Sequence, residues 1–462
     1  MVHLRRSAPQ SAGLHNPQSM IKIPLFLCLA SALGAAQPNI ILCMTDDQGW
    51  GDTGYNGHPV LRTPHLDQMA NEGIRFERFY SAAPVCSPTR GSCLTGRHPY
   101  RYGIFTANKG HMKKNEVTLA EVLKTKGYAT GHFGKWHLGT LTTKTKDANR
   151  GKPGNTRDYA IPTQHGFDAY FSTESKVPTY WKPGDYNQYG THYWTGVEKM
   201  VPASEIKGDD SMLIMDRALP FIQKAAKEET PFFTVIWFHA PHLPVVSAPP
   251  YTDGYTEHQD YYGCITALDE QVGRLRSELK TLGVADNTML WFCSDNGPEG
   301  NSKAPGRTKN LRGRKRSLYE GGVRVPGLLI WPDMIKETRT VKIPCSTSDY
   351  FPTVLEALGH TLPEAEARPY DGVSLLPLIR NEMKERSRPI AFESKKQISL
   401  TGNQFKLISM DAGKSYELYD LIADPEESKN LARDLPDQVS KMRAQLKKWR
   451  KSCKRSASGD DY

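Results

Sequence analysis

Asn39-Ile40-Ile41-Leu42-Cys43-Met44-Thr45-Asp46-Asp47-Gln48-Gly49 passes from an unbroken apolar run into two acids, an amide and a glycine. A short apolar run closed by turn-forming residues reads as a strand buried on both faces, the kind found in sheets with helices above and below. The same passage recurs three times. Tyr128–His132 leads into Gly134-Lys135-Trp136-His137-Leu138-Gly139, Pro231–Phe238 into His239-Ala240-Pro241-His242-Leu243-Pro244, and Asn287–Cys293 into Ser294-Asp295-Asn296-Gly297. A fifth strand is expected at Gly327–Ile330, and helices at Thr118–Lys126, Ser211–Lys227, Tyr261–Leu282 and Asp349–Leu358. This alternation predicts an α/β fold with a mostly parallel central sheet flanked by helices.

Past about Arg368 the pattern changes. Pro389–Glu393, Gln404–Ser409 and Glu417–Leu421 read as short antiparallel strands, followed by a helix from about Leu435 to Lys451. At 462 residues with 38% hydrophobic side chains, the chain suits a large domain with a smaller companion. The expected division is a leader over 1–36, a catalytic domain over 37–365, a C-terminal subdomain over 366–455 and a polar tail over 456–462. Lys22, the apolar run Ile23–Leu33 and the small residues Gly34-Ala35-Ala36 read as a secretory signal, with translation starting at Met20. The expected location is secreted or periplasmic, with no transmembrane segment, since the apolar run is too short to span a bilayer. The 8 cysteines are too few for a disulfide scaffold, with one or two bridges open among Cys93, Cys264, Cys345 and the others.

In open α/β sheets, ligands bind where loops meet at the carboxyl ends of the strands. Asp46, Asp47, Asp295 and Asn296 all stand at such ends. Three carboxylates and an amide oxygen gathered there repel one another unless a hard divalent cation sits among them, Ca²⁺ or, less readily, Mg²⁺; zinc is disfavoured because no imidazole or thiolate is needed. Either acidic pair alone is as well explained as a turn. His137 and His242 supply imidazoles able to transfer protons near neutral pH, and Lys135 an ammonium able to hold an anion.

The segment Cys86-Ser87-Pro88-Thr89-Arg90-Gly91-Ser92-Cys93-Leu94-Thr95-Gly96-Arg97 carries the most specific signal. Pro88 suits the first turn of a helix, which puts Cys86 at the positive N-terminal end, with Arg90 one turn on. The plainer readings are a redox pair with Cys93 or an inert thiol. The run resembles the type I sulfatase signature C-x-P-x-R-x-x-x-L-T-G-R at every fixed position. The resemblance extends to Asp46-Asp47, Gly134-Lys135-Trp136-His137, Pro241-His242-Leu243-Pro244, Asp295-Asn296-Gly297, Tyr319-Glu320-Gly321-Gly322-Val323-Arg324 and, near the end, Glu417-Leu418-Tyr419-Asp420-Leu421 with Asp424-Pro425 and Asn430-Leu431.

That family, part of the alkaline phosphatase superfamily, implies a sulfuric ester hydrolase in which Cys86 is converted to formylglycine (3-oxoalanine). The hydrated aldehyde is a geminal diol: one hydroxyl attacks sulfur, and the other expels sulfate as the aldehyde re-forms. The resemblance implies Ca²⁺ held by Asp46, Asp47, Asp295 and Asn296 together with the modified Cys86. Arg90 orients the diol, Lys135 and Lys315 grip the sulfate, His242 protonates the leaving alcohol and His137 takes the second hydroxyl's proton. The chain departs from the family's Gly-Gly-Lys run with Gly313-Arg314-Lys315-Arg316, so Arg314 and Arg316 stand as alternatives to Lys315. A serine that some relatives place near the sulfate is sought among Ser172, Thr173 and Ser175. The implied partners are a sulfated carbohydrate or small sulfate ester, and a formylglycine-generating or anaerobic sulfatase-maturating enzyme. Alternatives are a phosphate or phosphonate monoester hydrolase of the same fold and an inactive binder of sulfated glycans. A nucleic-acid binder rests on the basic tail alone and is set aside.

The formal charge of +10 is unevenly spread. Basic residues without acids in the leader and in Lys441–Arg455 account for it, leaving the rest near neutral. Ser302–Arg316 is the exception, a basic loop expected to attract an anionic substrate through Arg307, Lys309 and Arg312, while the terminal helix is expected to be solvated. Tyr180, Trp181, Tyr186, Tyr189, Tyr193 and Trp194 crowd one insert, where they suit stacking on sugar rings or packing of a long loop.

Overall fold

Period-two alternation in the first strand sets the architecture. The computed structural model describes residues 37–462, and in it Asn39–Thr45 is a strand with every residue buried. Ile40, Leu42 and Met44 enter one apolar cluster, and Ile41 and Cys43 another. Both faces are covered, which is why the stretch from Ile40 to Met44 contains no polar side chain. Helices Cys86–Thr95, Leu119–Thr125 and Tyr350–Ala357 supply the first cluster, and helices Pro64–Glu72, Asp210–Lys227 and Gln259–Thr281 the second. Two helix starts are fixed by side chains: Thr118 and Glu121 form a reciprocal capping box, and Asp209 accepts from the Met212 amide.

The strand lies in the middle of a nine-stranded sheet, ordered Arg339–Val341, Ile74–Phe76, Gly327–Ile330, Thr288–Ser294, Asn39–Thr45, Phe232–Trp237, Ala129–Lys135, Ala169–Thr173 and Tyr193–Trp194. The run from Thr288–Ser294 to Ala169–Thr173 is parallel throughout, so its loops emerge at one edge. Gly327–Ile330 pairs antiparallel with Thr288–Ser294. The strands and helices expected in this part are present with small shifts at their ends. Ala169–Thr173 was not anticipated: its Ser172 and Thr173 read as loop, yet both are buried and hydrogen-bonded to histidines, through which the strand tolerates them.

Four strands, Ile390–Ser394, Gln397–Thr401, Phe405–Ser409 and Glu417–Asp420, form an antiparallel meander. Ile398, Leu400, Leu407 and Leu418 pack under Met442 and Leu446 of the helix Pro436–Ser458, while Phe392, Ile408 and Tyr419 pack against Tyr80, Leu318 and Val323 of the larger part. The terminal helix therefore corrects the expectation of a solvated element: it is docked along one side and runs well past Lys451. Beyond it, Asp461 pairs with Arg97 at 2.8 Å and the Tyr462 hydroxyl donates to Glu116.

Cys43, Cys86, Cys93, Cys264, Cys293, Cys345 and Cys453 are all free and buried, so the bridges considered from sequence do not form among the described residues. The leader, Met20 and Cys28 lie outside those residues. Among the described residues no helix is long and apolar enough to cross a membrane.

A fully buried charge cluster joins the meander to the larger part. Lys406 Nζ lies 3.0 Å from Glu320 and 2.9 Å from Glu427, the Tyr80 hydroxyl donates to Glu320 at 2.8 Å, and the Glu320 amide donates to Glu427 at 2.6 Å. Removing Lys406 leaves two buried carboxylates facing each other, with Arg324 at 3.7 Å from Glu320 as the remaining cation. Lys406→Met is expected to cost about 3–5 kcal/mol in urea unfolding; a loss below about 1 kcal/mol would show that the cluster does not hold the two parts together.

Candidate active site

The parallel ladder continues past the strand ends and aligns their loops. Asp46 N donates to Ala240 O at 3.1 Å, Phe238 N to Met44 O at 2.8 Å, and Asp295 N to Thr45 O at 3.1 Å. Asp47 then turns through φ of 64°, a conformation that Asp tolerates better than most residues, and its amide donates to Asp295 Oδ1 at 3.1 Å. Carboxylate oxygens of Asp46, Asp47 and Asp295 come within 4.8 Å of one another, all three side chains buried. Asn296 donates from Nδ2 to Asp47 Oδ1 at 2.6 Å, while its Oδ1 and Asp46 Oδ1 are buried with no partner.

Three cations ring these acids. Arg90 Nη2 lies 3.1 Å from Asp46 and 2.7 Å from Asp295, Lys135 Nζ 2.5 Å from Asp46, and Lys315 Nζ 2.6 Å from Asp47. Burial works to raise the Asp46 carboxyl, but Lys135, His242, Arg90 and Lys315 together hold it well below the usual carboxylate range. Burial and the neighbouring Asp46 charge push Asp295 up to about 7. Two carboxylates driven apart in this way, beside orphaned oxygens of Asp46 and Asn296, form an all-oxygen donor set that suits a hard cation.

Cys86 is the first residue of a ten-residue helix, Cys86–Thr95, buried throughout. Thr89 locks the entry by accepting from Ala83 N at 2.8 Å and donating to Ala83 O at 3.1 Å. Ser87 Oγ donates to His137 O at 2.5 Å and Arg90 Nη1 to Lys135 O at 3.1 Å, so this helix also fixes the Lys135–His137 loop. The Cys86 sulfur, an Asp46 oxygen and a His242 nitrogen lie within 4.8 Å of one another. Burial raises the Cys86 thiol above its ordinary range against the pull of Lys135 and Lys315, so an unmodified cysteine here is a poor nucleophile.

His242 donates from Nδ1 to Leu243 O at 2.6 Å, which leaves Nε2 facing the site, 3.6 Å from Asp47. Burial lowers its pKa to about 4, against the raising effect of Asp46 and Asp47. His137 is buried with both ring nitrogens unpartnered, and burial followed by the Lys135 charge keeps it well below its ordinary pKa, a neutral imidazole able to accept a proton. Gly134, in the strand Ala129–Lys135 that leads to His137, admits no side chain: a Cβ would stand 1.9 Å from Trp237 O at a φ of 99°.

Backbone layers set the position of Lys315. Gly297 N donates to Gly322 O at 3.0 Å, and a Cβ on Gly297 would come within 2.0 Å of Gly321 O; a Cβ on Gly322 would come within 2.0 Å of Ser317 O. The Asp295–Gly297 loop, the Gly321-Gly322 turn and the basic loop thus stack with no room for side chains between them. Of the three basic alternatives, Lys315 alone pairs with Asp47. Arg314 donates to Glu299 O at 2.9 Å and Gly306 O at 2.7 Å, and Arg316 pairs with the Glu299 carboxylate at 2.6 Å.

Other expectations are corrected. Arg312 lies over the Tyr319 ring at 3.8 Å and donates to the Tyr419 hydroxyl at 2.8 Å, which engages it with the C-terminal meander while it stays exposed. Trp181, Tyr186, Tyr193 and Trp194 are buried, with Tyr193 stacked on Phe171 at 4.1 Å, so packing accounts for most of the aromatic insert. Ser172 binds His132 at 2.7 Å, Thr173 binds His239 at 2.8 Å, and Ser175 accepts from Asn149 at 2.8 Å; all three serve the loop framework.

Sequence reasoning missed two braces. Arg150 donates to Ser87 at 3.2 Å and pairs with buried Glu174 at 3.2 Å, supporting the start of the Cys86 helix from a stretch whose spacing carries no signal. Asp52 accepts from Gly49 N, Arg307 N and the Tyr261 hydroxyl, each at 2.8 Å, tying the acidic loop to the basic one. Its place three residues after Gly49 is a legible turn signal.

A family model described as Sulfatase matches residues 38–360, and one described as N-sulphoglucosamine sulphohydrolase, C-terminal, matches residues 313–455. The human N-acetylgalactosamine-6-sulfatase is 34% identical over 390 residues, covering 77% of this chain and 68% of the relative. The steryl-sulfatase of Rattus norvegicus is 30% identical over 442 residues, covering 79% and 74%. Among solved structures, Ps i-CgsB in complex with k-i-k-neocarrahexaose matches with a TM-score of 0.77 at 26% identity, over 89% of this chain and 92% of that one.

The pairing of Lys315 with Asp47 separates the three basic candidates. Lys315→Ala is expected to lower kcat/KM on a sulfate ester by roughly 10²–10³, whereas Arg316→Ala, at a half-exposed pair, should cost less than about tenfold. Equal losses in steady-state assays would mean that Lys315 has no special place.

Proposed function

The chain belongs to the sulfatase family and is a sulfuric ester hydrolase, and we propose that it releases sulfate from a sulfated carbohydrate or aryl sulfate through formylglycine formed from Cys86. The observation that carries this reading is the convergence of Cys86, Asp46 and His242 within 4.8 Å, at a helix N-terminus flanked by Lys135 and Lys315. As formylglycine, residue 86 supplies a hydrated aldehyde, one hydroxyl to take the sulfuryl group and one to let it go.

Asp46, Asp47, Asp295 and Asn296 are the residues that would hold a divalent cation, Ca²⁺ by their oxygen-only chemistry, together with the modified residue 86. Bound there, the ion supplies Lewis acidity to the nucleophile and to the sulfate oxygens. The chain's own groups do the rest. Arg90 orients residue 86 while bridging Asp46 and Asp295. Lys135 and Lys315 hold the non-bridging sulfate oxygens and stabilise charge as the S–O bond breaks. His242 presents Nε2 to the departing alcohol; with Nδ1 donating to Leu243 O, Nε2 has a proton to give only in the imidazolium form, which the Asp46 and Asp47 charges favour against burial. The neutral His137 takes a proton from residue 86. Maturation calls for a formylglycine-generating or anaerobic maturating enzyme, and the leader points to a secreted or periplasmic protein.

Phosphate or phosphonate ester hydrolysis is the neighbouring reading, and rates on matched aryl sulfate and aryl phosphate distinguish the two. The expected result is a higher kcat/KM on the sulfate; faster phosphate turnover would reassign the substrate. Cys86→Ser is expected to reduce turnover roughly 10³-fold or more, with an unchanged circular dichroism spectrum. Exhaustive chelation should abolish activity and lower the melting temperature, and Ca²⁺ at a hundredfold excess over its Kd should restore about 2.7 kcal/mol. Full activity after chelation would exclude a required metal.

A further inference from the structure

A cleft of about 410 Å³ opens from Asp47, bounded by Pro241 and Leu243 on either side of His242. Asp47, which lines it, lies 3.6 Å from His242 Nε2, the group assigned to the departing alcohol. We propose that this cleft is the leaving-group subsite and selects a sugar ring that carries no second anionic group, with Asp260 as the residue that excludes one. The proposal rests on the sulfatase reading above and specifies the substrate class of that site.

The first support is the charge of the lining. The basic loop contributes Gly300, Ala304, Pro305 and Gly306 to the cleft, but no lysine or arginine lines it. Five of the loop's cations are directed elsewhere, Lys309 to Asn56 O at 2.9 Å, Arg312 to Tyr419, Arg314 to backbone carbonyls, Arg316 to Glu299 and Lys315 to Asp47, while Lys303 and Arg307 are exposed outside the lining. The charged side chains that do line the cleft are acids apart from His258, which packs edge-on against Tyr262. Glu299 is matched by Arg316 and Lys315, at 2.6 and 3.5 Å. Asp260 has no cation partner: its one bond is the Ser247 amide at 2.8 Å, and it stands exposed at the start of the helix Gln259–Thr281. A second sulfate or a uronate in this cleft meets that carboxylate and no countercharge.

The second support is shape. Leu243 is 52% exposed beside His242, an apolar side chain left in water at the mouth of a polar site, and Val245, Ala304 and Pro305 continue the apolar surface. Apolar walls with a few acceptors suit the C–H face of a ring whose hydroxyls donate to Asp260 and Gln259.

Two sugars that share the same scissile sulfate, one otherwise neutral and one carrying a second sulfate, test the proposal, with an aryl sulfate as a third substrate. Assays at low salt leave the Asp260 charge least screened. The wild type is expected to favour the monosulfated sugar at least tenfold in kcat/KM. Asp260→Asn keeps an oxygen acceptor for Ser247 while removing the charge, and should narrow that ratio by roughly fivefold; Asp260→Lys should narrow it further. Equal or better turnover of the disulfated sugar by the wild type, or a ratio unmoved in both variants, would overturn the proposal while leaving the sulfatase reading intact. A stronger relative rate on the aryl sulfate than on the monosulfated sugar would also overturn it, by removing the sugar. Failure on all three substrates by protein whose residue 86 is oxidised would sink the enzymatic reading itself.

Discussion

Mutual repulsion among Asp46, Asp47 and Asp295 is the constraint on which this molecule is organised. Carboxylates within 4.8 Å of one another and shielded from water are costly, and the cost falls only if positive charge is brought equally close. Arg90, Lys135 and Lys315 bring it, each from a different segment of chain. Parallel pairing of the central strands is what delivers Lys135 and the loops of Asp46, Asp47 and Asp295 to one edge. The Cys86 helix then lies where Arg90 can bridge two of the acids and where residue 86 faces the remaining space.

The three acids and three cations balance. Adding a divalent ion to that balance leaves a pocket with excess positive charge, which suits an anionic sulfate ester and its transition state. The balance depends on Lys315, whose loop carries little secondary structure of its own. That loop is held from beneath by the glycine layers at Gly297, Gly321 and Gly322 and from outside by the C-terminal meander. Gln397 donates to Arg316 O and accepts from Leu318 N, both at 2.8 Å, and Arg312 lies against Tyr319 and Tyr419. The smaller part of the chain thus acts on the chemistry without touching it, by bracing the segment that carries one of its cations.

The sheet was legible because burial on both faces forces unbroken apolar runs, and the loop acids stood out against them. The helix over Cys86–Thr95 was legible from Pro88, and the gathering of Asp46, Asp47, Asp295 and Asn296 from their shared position at strand ends. What escaped depended on partners remote in sequence. Ser172 and Thr173 read as loop because nothing in the sequence shows His132 and His239 waiting to bond them. Arg150 and Glu174 carry no spacing signal, and their value appears only once Ser87 is beside them. The basic loop was legible only in its total charge: whether a cation faces solvent or a neighbour depends on the fold, and Arg314 and Lys315 are engaged by neighbours while Arg307, Lys309 and Arg312 are exposed. The terminal helix misled, since its basic stripe hid the spacing of Met442, Leu446 and Cys453.

The chemistry converges on the side chain at position 86, whose thiol burial raises above its ordinary range. The most direct test is the mass of the tryptic peptide Phe79–Arg90 from protein made in its native host. An aldehyde, or its hydrate, in place of the thiol is the predicted result. A peptide carrying only unmodified cysteine, from protein that nevertheless turns over a sulfate ester, would contradict it.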